Sequence, residues 1–437
     1  MDIGLISILV IVSLLFLLFL GFPVAFCLLS VSIVFTIIFW SPRALGMVAA
    51  GTFGVMVNST YLAIPLFVFM AAVLQFSGVA DELYETLWKW LGGIRGGLAI
   101  ATAGAITLID AMTGIGATGI VTMGMLAFPH MEKHHYHRSI SVGPIPAASA
   151  LGPLIPPSNI MIILGGYASI SIGGLFMGGL IPGLLISSFI ILYIAIRCII
   201  NPKMAEKIPI EERASWREKF AALQGVILPI FLVSLVLGGI YSGAATPIEA
   251  SGVGAIGAIL CAAFHRKVSL DNLKDAVQRT IKINVMVLWL LIGGSTYSSF
   301  MSASGVGPYL GELLMALPLP PIGILAILLL ILLLMGMVME SVAIIMVTVP
   351  IFFPVIKALG FDPLWFGVVF VIAIIIGYIT PPLGYNLFYM RGVLPAAVST
   401  RDIFRYVVPF IPIMVLVLIL VVIFPEIILW LPHKMIK

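Results

Sequence analysis

Hydrophobic runs long enough to cross a lipid bilayer follow one another along almost the whole chain, and polar residues are confined to the stretches between them. The first two runs, residues 1–20 and 21–40, are joined directly, and the first lacks a basic start and a small-residue cleavage site. We therefore expect a retained membrane span rather than a signal peptide. The pattern predicts an all-α polytopic membrane protein embedded in a lipid bilayer.

The composition also indicates a membrane protein, and it predicts that the helices are interrupted. Hydrophobic residues make up 62% of the chain and charged residues 9%, against roughly 45–50% and 25% in globular proteins. The 43 Gly and 28 Pro predict repeatedly interrupted helices, which a membrane tolerates only inside protein or beside a water-filled cavity. The net charge of +4 is spread thinly with no basic stripe, so nucleic-acid binding is excluded.

Short sequence elements recur in the same order in the two halves of the chain. The Ser-Gly-Val at residues 77–79 recurs at 304–306, an offset of 304 − 77 = 227. The Pro-Pro pair at 156–157 recurs at 381–382, an offset of 381 − 156 = 225. We predict two repeat units with inverted topology, as an alternating-access carrier requires.

Each predicted unit contains scaffold spans, an amphipathic arm lying on the membrane, a re-entrant helical hairpin and a discontinuous transmembrane helix. The first unit, residues 1–200, comprises spans 1–77, arm 78–92, hairpin 98–129, broken helix 139–172 and span 175–200. A cytoplasmic interfacial linker helix over residues 201–224 follows. The second unit, residues 225–437, comprises spans 225–301, arm 305–318, hairpin 322–356, broken helix 364–390 and last span 404–430.

The distribution of Lys and Arg sets the predicted orientation. If the linker is cytoplasmic and both hairpins are re-entrant, only Arg43, Lys357, Lys434 and Lys437 lie outside, which leaves 22 − 4 = 18 basic residues inside. If either hairpin crossed completely, the later basic loops would change sides and the asymmetry would largely vanish. Both chain termini are predicted on the outer side.

The sequence has none of the familiar catalytic motifs. It contains no Walker A motif, HExxH, GxSxG or GxGxxG after a strand, so we predict that the protein is not an enzyme. His130, His134, His135 and His137 lie close together, but in a basic loop at a membrane face. We interpret them as a solvated loop and predict no transition-metal site.

Two proline-rich segments predict helix breaks inside the membrane. Gly152–Asn159 and Thr380–Asn386 each contain a Pro-Pro pair and end in Asn, and proline removes a backbone donor and clashes with the preceding turn. The unwound carbonyls can coordinate Na⁺, and the helix that restarts points its amides at an anion. The hairpin tips, Thr113–Thr118 and the region around Glu340, are predicted to face these breaks.

Three carboxylates fall within apolar segments and are functional candidates. Glu249 belongs to a capping box that begins at Thr246, so we expect it to cap a helix. Asp110 and Glu340 lie near the predicted tips, where either a cation or substrate role or hydrogen bonding of tip amides is open. Tyr297 and Ser298 belong to a hydroxyl cluster that either lines the pathway or links helices.

Four segments carry a resemblance to a known family, and they follow one another in the family's order: Gly21–Ala25, Gly152–Asn159, Gly243–Ala250 and Gly377–Leu387. Nearly the whole chain resembles the large membrane subunit of tripartite ATP-independent periplasmic (TRAP) transporters. The resemblance implies a secondary carrier of the bacterial inner membrane with an elevator-type mechanism and periplasmic termini. It also implies a Na⁺ gradient as driving force, a small four-span membrane subunit and a periplasmic solute-binding protein.

The family places its cation sites at the hairpin tips and the adjacent broken helices. The resemblance therefore implies these cation-binding residues: Thr113, Gly114, Ala117, Pro156, Ser158, Asn159, Met337, Glu340, Ser341, Thr380, Pro381, Gly384 and Asn386. The predicted substrate-binding residues are Asp110, Thr118, Ser158, Tyr297, Ser298 and Tyr385. One departure is Ile115, which replaces a hydroxyl that the family usually has in the first tip.

The leading hypothesis is Na⁺-coupled import of a small organic anion delivered by the binding protein. Proton coupling through Asp110 and Glu340 is a rival within the same class, and a membrane-embedded enzyme or polymer flippase is the alternative from another class. Sialic acids, dicarboxylates and sulfonates are all open as substrates, because in such systems selection can lie mainly in the separate binding protein.

Overall fold

The computed structural model describes residues 2–40, 42–114 and 116–435, and within these residues every regular element is helical. Seven helices in this part of the chain are long and apolar enough to cross a membrane. The prediction of an all-α polytopic membrane protein is confirmed.

Among the described residues before the polar linker, the α-helices are α1 Ile3–Phe19, α2 Val24–Phe39, α3 Gly46–Val57, α4 Ala63–Phe76, α5 Val79–Leu91, α6 Gly97–Thr113, α7 Gly116–Lys133, α8 Arg138–Ser141, α9 Pro144–Ser149, α10 Asn159–Ala168 and α11 Ile172–Ile200, eleven in number. A further eleven follow it: α12 Trp216–Tyr241, α13 Pro247–Phe264, α14 Leu270–Ala303, α15 Val306–Met315, α16 Pro321–Gly336, α17 Ser341–Ala358, α18 Pro363–Tyr378, α19 Tyr385–Val393, α20 Thr400–Val407, α21 Ile411–Ile423 and α22 Glu426–His433.

Both halves place their elements in the same order. Each has a short amphipathic helix (α5, α15), a helical pair (α6–α7, α16–α17) and a helix interrupted by unwound backbone (α9–α10, α18–α19). In α5, Leu83 and Tyr84 are buried while Asp81 and Glu85 are exposed, which is the amphipathic pattern that the sequence indicates.

The predicted interfacial helix over residues 201–224 is wrong in its extent. The segment instead holds two short 3₁₀ turns, Pro202–Met204, which begins at a proline, and Ile210–Glu212, which follows Pro209, because proline cannot continue a regular helix. A capping box at Ser215 then starts α12, which continues without interruption through the span that follows. The last span predicted over 404–430 corresponds to one continuous apolar run, Thr400–Ile423, in which a 3₁₀ turn joins α20 to α21, and the short helix α22 follows it.

Helix packing separates the chain into two groups of elements. In the first, α14 packs against α2, α3 and α4, and α13 packs against α4 and α12. In the second, the two helical pairs pack against the interrupted helices: α6 and α7 against α9, α7 against α19, α16 against α18 and α17 against α10. We call the first group the scaffold. The candidate site lies where the second group meets it.

Glu249 is a helix cap, as predicted. The Thr246 hydroxyl accepts from the Glu249 amide at 3.3 Å, and the Glu249 carboxylate accepts from the Thr246 amide at 2.8 Å. Pro247 occupies the first helical position, where its missing N–H costs nothing. This carboxylate is therefore explained by local helix geometry.

Candidate functional site

The first hairpin tip lies directly on the first helix break. Gly114 ends α6 with φ +61°, a left-handed conformation that L side chains disfavour. A Cβ on Gly114 would lie 2.6 Å from the Pro157 carbonyl oxygen and 3.4 Å from the Ser158 Cα. The Ser149 hydroxyl of α9 donates to the Gly116 carbonyl at the start of α7. Tip and break are therefore in backbone contact, which only glycine permits at this position.

The first break is an unwound segment between α9 and α10. Its residues 150–158 form turns and bends, and the Pro156–Pro157 peptide bond is cis. The Ser158 hydroxyl donates to the Pro153 carbonyl at 2.6 Å and accepts from the Met161 amide at 3.3 Å, so that Ser158 caps α10. The predicted break and restart occur at Pro156, Ser158 and Asn159.

Two polar side chains at this first tip have unsatisfied oxygens. Asp110 is fully buried, and neither of its carboxylate oxygens has a hydrogen bond of ordinary geometry among the described residues, although the Gly152 amide interacts with it weakly. The Oδ1 of Asn159, at the start of α10, also has no partner in the described part of the chain. Buried oxygens without partners are costly, so this pair is a candidate position for a bound proton, water or cation.

The second tip and break are joined by a backbone hydrogen bond. The Gly384 amide donates to the Met337 carbonyl at 3.1 Å, across the gap between α16 and α19. Gly384 has φ +62°, which again favours glycine. The unwound backbone runs from Ile379 to Gly384 and includes the cis Pro381–Pro382 bond. Thr380 donates its hydroxyl to the Ile376 carbonyl at 2.7 Å.

The polar side chains of the second tip are held by protein groups. Glu340 precedes α17, and its carboxylate accepts from the Val342 amide at 3.0 Å. The Tyr378 hydroxyl accepts from the Ser341 amide at 2.8 Å and also bonds the Ser341 hydroxyl. The sequence left the role of Glu340 open between a ligand and a tip hydrogen bond, and the structure provides the tip hydrogen bond.

Asn386 connects the two halves of the site. Its side-chain amide donates to the Pro146 carbonyl of α9 at 3.1 Å, and the residue is 2% exposed. In the matched Asn159, the acceptor atom Oδ1 has no hydrogen-bond partner among the described residues. The two asparagines are thus alike in sequence position but unlike in their surroundings.

A cavity of about 480 Å³ lies between the tips, the breaks and the scaffold. Its volume falls in the range of roughly 300–1,000 Å³ that is usual for small-molecule sites. Its walls include these predicted site residues: Gly114, Ala117, Thr118, Asn159, Glu340, Tyr385 and Asn386. Thr113, Ser158 and Ser341 are buried close behind the tips and breaks.

Tyr297 and Ser298 do not line this cavity. Tyr297 is buried within the helix packing, and Ser298 lines a second cleft of about 430 Å³ together with Tyr167 of α10. The Tyr167 hydroxyl donates to the Gly294 carbonyl at 2.7 Å, which joins α10 to scaffold helix α14. Their assignment as substrate ligands stays a prediction. Ile115 lies outside the described residues.

Two polar residues of the cavity wall, Gln75 of α4 and Arg279 of α14, are not among the site residues predicted from the sequence. Both lie on scaffold helices, and the Arg279 guanidinium donates to the Gln75 side-chain oxygen. The available signal was that Arg279, Ile283 and Met286 recur at helical spacing. It was obscured because Arg279 belongs to a charged stretch that resembles a solvated helix start.

Among the described residues, no group of three His, Cys, Asp or Glu side chains could hold a metal ion. The cavity is instead bounded by helix ends, amides and hydroxyls deep in an all-helical membrane protein. Interrupted helices around a central cavity are typical of membrane transport proteins.

Comparison with known proteins identifies the family. Residues 11–427 match the family described as "Tripartite ATP-independent periplasmic transporter, DctM component". The chain belongs to this family of TRAP transporter large permease subunits. Its relatives are transport permeases, so the prediction that it is not an enzyme is confirmed.

Three relatives illustrate the family's range. The C4-dicarboxylate TRAP transporter large permease protein of Pseudomonas aeruginosa is 33% identical over 93% of each chain. The sialic acid TRAP transporter large permease protein of Vibrio cholerae is 30% identical over 95% of this chain and 96% of that protein. The ectoine/5-hydroxyectoine TRAP transporter large permease protein of Ruegeria pomeroyi is 32% identical over 85% and 86%.

A solved structure is similar in fold. The crystal structure of the Alcanivorax borkumensis YdaH transporter matches with a TM-score of 0.58, covering 86% of this chain and 88% of that one. The sequence identity is 16%, so this similarity concerns the fold alone.

Proposed function

We propose that this permease uses a Na⁺ gradient to import a small organic anion. The observation that carries the proposal is the first tip, where the oxygens of Asp110 and Asn159 are buried without full hydrogen bonding beside unwound backbone. A buried carboxylate requires a compensating charge or proton, and a bound cation supplies that charge. Carbonyls of an unwound membrane helix are typical Na⁺ ligands.

The predicted cation ligands form two sets around the tips. The first would draw on Thr113, Gly114, Ala117, Pro156, Ser158 and Asn159; the second would draw on Met337, Glu340, Ser341, Thr380, Pro381, Gly384 and Asn386. Contact between tip and break in each half supports this division. Movement of a tip away from its break would disassemble its site, which couples cation binding to the conformation of the hairpin.

The anion is proposed to occupy the cavity. Helices α10 and α19 restart beside it at Asn159 and Tyr385, and a helix N-terminus favours negative charge. The relatives are named for C4-dicarboxylates, sialic acid and ectoine, all of which carry carboxylates. We propose an acidic solute of this size class and leave its identity to experiment.

The proposed transport motion divides the molecule as its packing does. The two helical pairs and the interrupted helices would move together as an elevator domain, while α2, α3, α4, α13 and α14 would stay in the scaffold. The site lies at the boundary between these groups, where such a motion changes its access.

The partners follow from the tripartite family. We propose a small four-span membrane subunit and a periplasmic solute-binding protein that delivers the anion. One relative, the isethionate TRAP transporter permease of Oleidesulfovibrio alaskensis, matches 84% of this chain with 57% of its own length and is named DctMQ. We propose a bacterial inner-membrane location with both termini periplasmic.

The test is uptake into proteoliposomes that contain the permease with its small subunit and binding protein. The screen uses radiolabelled succinate, N-acetylneuraminate, isethionate and ectoine, with and without an inward Na⁺ gradient. Uptake of at least one solute that requires both Na⁺ and binding protein is expected. A pH gradient that drives equal uptake in sodium-free buffer would instead support proton coupling through Asp110. Robust uptake without any binding protein would contradict the tripartite proposal.

A further inference from the structure

A positively charged side chain lines the cavity from the scaffold side. Arg279 and Met286 of α14 belong to one face of this helix, and both contribute to the cavity wall. Arg279 and Glu340 are the charged residues of this wall, while the remainder is apolar, aromatic or amide-bearing. Because Arg279 is only partly exposed, its charge acts on the cavity interior as well as on the solvent.

The charge of Arg279 is not neutralised by a nearby carboxylate. Its guanidinium donates to the side-chain oxygen of Gln75 on α4, which is a neutral acceptor. In the described part of the chain, no Asp or Glu lies within salt-bridge distance of it. The Glu340 carboxylate is directed to the Val342 amide at the start of α17. Arg279 is therefore positioned by Gln75 and has no carboxylate within salt-bridge distance, the nearest acid along its helix being the exposed Asp275 one turn earlier.

The ordinary alternative is a snorkelling arginine whose head extends to the membrane surface. The bond to Gln75 opposes this interpretation, because both residues belong to the cavity wall and the bond holds the guanidinium there. The Gln75 amide orients the guanidinium but does not neutralise its charge, so Arg279 is suited to bind an anionic ligand. A planar guanidinium matches the oxygens of a carboxylate or sulfonate in bidentate geometry.

We propose that Arg279, positioned by Gln75, binds the acidic group of the transported solute from the scaffold side of the cavity. This inference rests on the proposed function and adds a specific residue to it. The helix N-termini at Asn159 and Tyr385 act on the anion from the side of the breaks, and Arg279 acts from the opposite group of helices. A solute in contact with both groups bridges the two parts that are proposed to move apart.

The test measures the charge preference of the cavity with two thiol reagents. Met286→Cys places a thiol in the wall, two helical turns or about 10 Å from Arg279. The full-length protein in lipid nanodiscs is treated with 2-sulfonatoethyl methanethiosulfonate, a sulfonate, or with its trimethylammonium analogue. Cys27, Cys198 and Cys261 are buried, and protein without the added thiol gives their background rate.

The measured quantity is the rate with the sulfonate reagent divided by the rate with the cationic reagent, normalised to the same ratio for free cysteine. In the Met286→Cys protein this normalised ratio is expected to exceed one. Arg279→Gln should lower this normalised ratio about tenfold, as expected for loss of one charge at this distance in a partly desolvated cavity. Gln75→Glu should lower it similarly, because an isosteric carboxylate would neutralise the guanidinium. Arg279→Lys should preserve most of it. Lys282→Gln removes one charge from the exposed surface of the same helix and should leave the ratio unchanged.

An unchanged ratio in both Arg279→Gln and Gln75→Glu would overturn the inference, as would an equal fall in Lys282→Gln. A second cavity thiol, Val121→Cys on α7, repeats the measurement if the first variant folds poorly. These rates require neither sodium nor an identified solute. If the proposed function is wrong, protein that retains Arg279 will still prefer the sulfonate reagent but will show no sodium-dependent uptake. The two proposals therefore fail in different measurements.

Discussion

At the second hairpin tip, protein groups hold the polar side chains, whereas at the first tip the Asp110 carboxylate has only the Gly152 amide beside it and the Asn159 Oδ1 has no partner among the described residues. Glu340 bonds the Val342 amide, Ser341 bonds Tyr378, and Asn386 bonds the Pro146 carbonyl. Asp110 and Asn159 have unsatisfied oxygens in the described structure. Two matched sequence motifs therefore differ in their hydrogen bonding: the second is satisfied by protein groups, and the first leaves oxygens of Asp110 and Asn159 without partners among the described residues.

Two segments with the same backbone motif therefore differ in how far their polar side chains are stabilised by hydrogen bonds. A self-satisfied tip is stable by itself, and a bound cation adds to bonds that already exist. An unsatisfied tip costs free energy until the ligand arrives, so ligand binding there is coupled more strongly to its closure. On this basis we expect the first tip to control the sodium dependence of transport.

The largest expected effect comes from Asp110→Asn. Removal of the carboxylate should reduce sodium-dependent uptake about a hundredfold or more. The reason is that loss of one partner of a buried ion pair, here the carboxylate and the proposed Na⁺, costs roughly 3–5 kcal/mol. The same change should raise the thermal stability of the sodium-free protein, because an amide needs neither the cation nor the proton that a buried carboxylate requires. The matched Glu340→Gln keeps an acceptor for the Val342 amide and should affect both quantities less. Equal losses in the two variants would remove the contrast between the tips.

The next effect separates the two asparagines. Asn159→Ala should raise the sodium concentration for half-maximal uptake roughly five- to a hundredfold, corresponding to about 1–3 kcal/mol for a lost polar partner. Asn386→Ala should mainly lower thermal stability, because it abolishes the bond to the Pro146 carbonyl. The measurement is uptake against sodium concentration at equal membrane abundance. An unchanged sodium requirement in Asn159→Ala would show that this oxygen is not a ligand.

A smaller effect is expected from Tyr378→Phe. This change removes the hydroxyl that holds Ser341 at the second tip, and should lower the free energy of unfolding by about 1–2 kcal/mol. A double-mutant cycle with Ser341→Ala isolates their interaction, measured by thermal denaturation. Additive effects would mean that the hydroxyl pair does not stabilise this tip. The sodium requirement should change little, because the second tip is held by protein groups.

The positions of the tips and breaks were predictable because proline and glycine act locally. Two Pro-Pro pairs dictate interrupted helices at Pro156 and Pro381 whatever their surroundings, and the repeat offset places a hairpin before each. The partners of each polar group were not predictable, because they depend on packing between distant segments. Asn386, for example, bonds Pro146, which lies 240 residues earlier.

The position of Arg279 in the cavity wall also could not be predicted from the local sequence. Its neighbours Asp275, Lys274 and Lys282 are charged and exposed, so the local pattern indicates a solvated helix start. Only the packing of α14 against α4 places its guanidinium beside Gln75 in the cavity wall. Conversely, Glu340 looked like an unexplained intramembrane charge, although it caps α17 from the position just before it.

The short amphipathic helix α5 is firmly attached to its neighbours. Helix α5, which precedes the less satisfied tip, is attached to the polar linker and the scaffold through three side chains. Thr86 donates to the Ala222 carbonyl at 2.9 Å, Trp90 donates to the Lys219 carbonyl at 3.1 Å, and Glu82 lies 2.9 Å from His265. These three contacts hold α5 in place directly before the first hairpin. We therefore expect movement within this hairpin to be confined to its tip.

His265 makes this attachment sensitive to pH. Its Nδ1 faces the Cys261 carbonyl at 2.7 Å, and its Nε2 faces the Glu82 carboxylate and the Gly225 carbonyl. Burial lowers the pKa of the imidazole, but these acceptors and the Glu82 charge raise it by more, so the pKa lies above its ordinary value of 6.5. Both ring nitrogens face acceptors, which the doubly protonated ring alone satisfies.

The smallest expected effect is therefore a pH-dependent loss of arm attachment. A pKa raised by folding contributes stability that is fully present below the unfolded pKa of about 6.5 and lost as pH rises through the folded value. We expect wild type to exceed Glu82→Gln in stability by about 1 kcal/mol or less at pH 6, with the difference shrinking toward pH 8.5, because the pair is partly exposed. Thermal denaturation of both proteins across this range measures the difference. A gap that stays constant with pH would assign the loss to packing of the Glu82 side chain, since only the ionic interaction depends on the charge of His265.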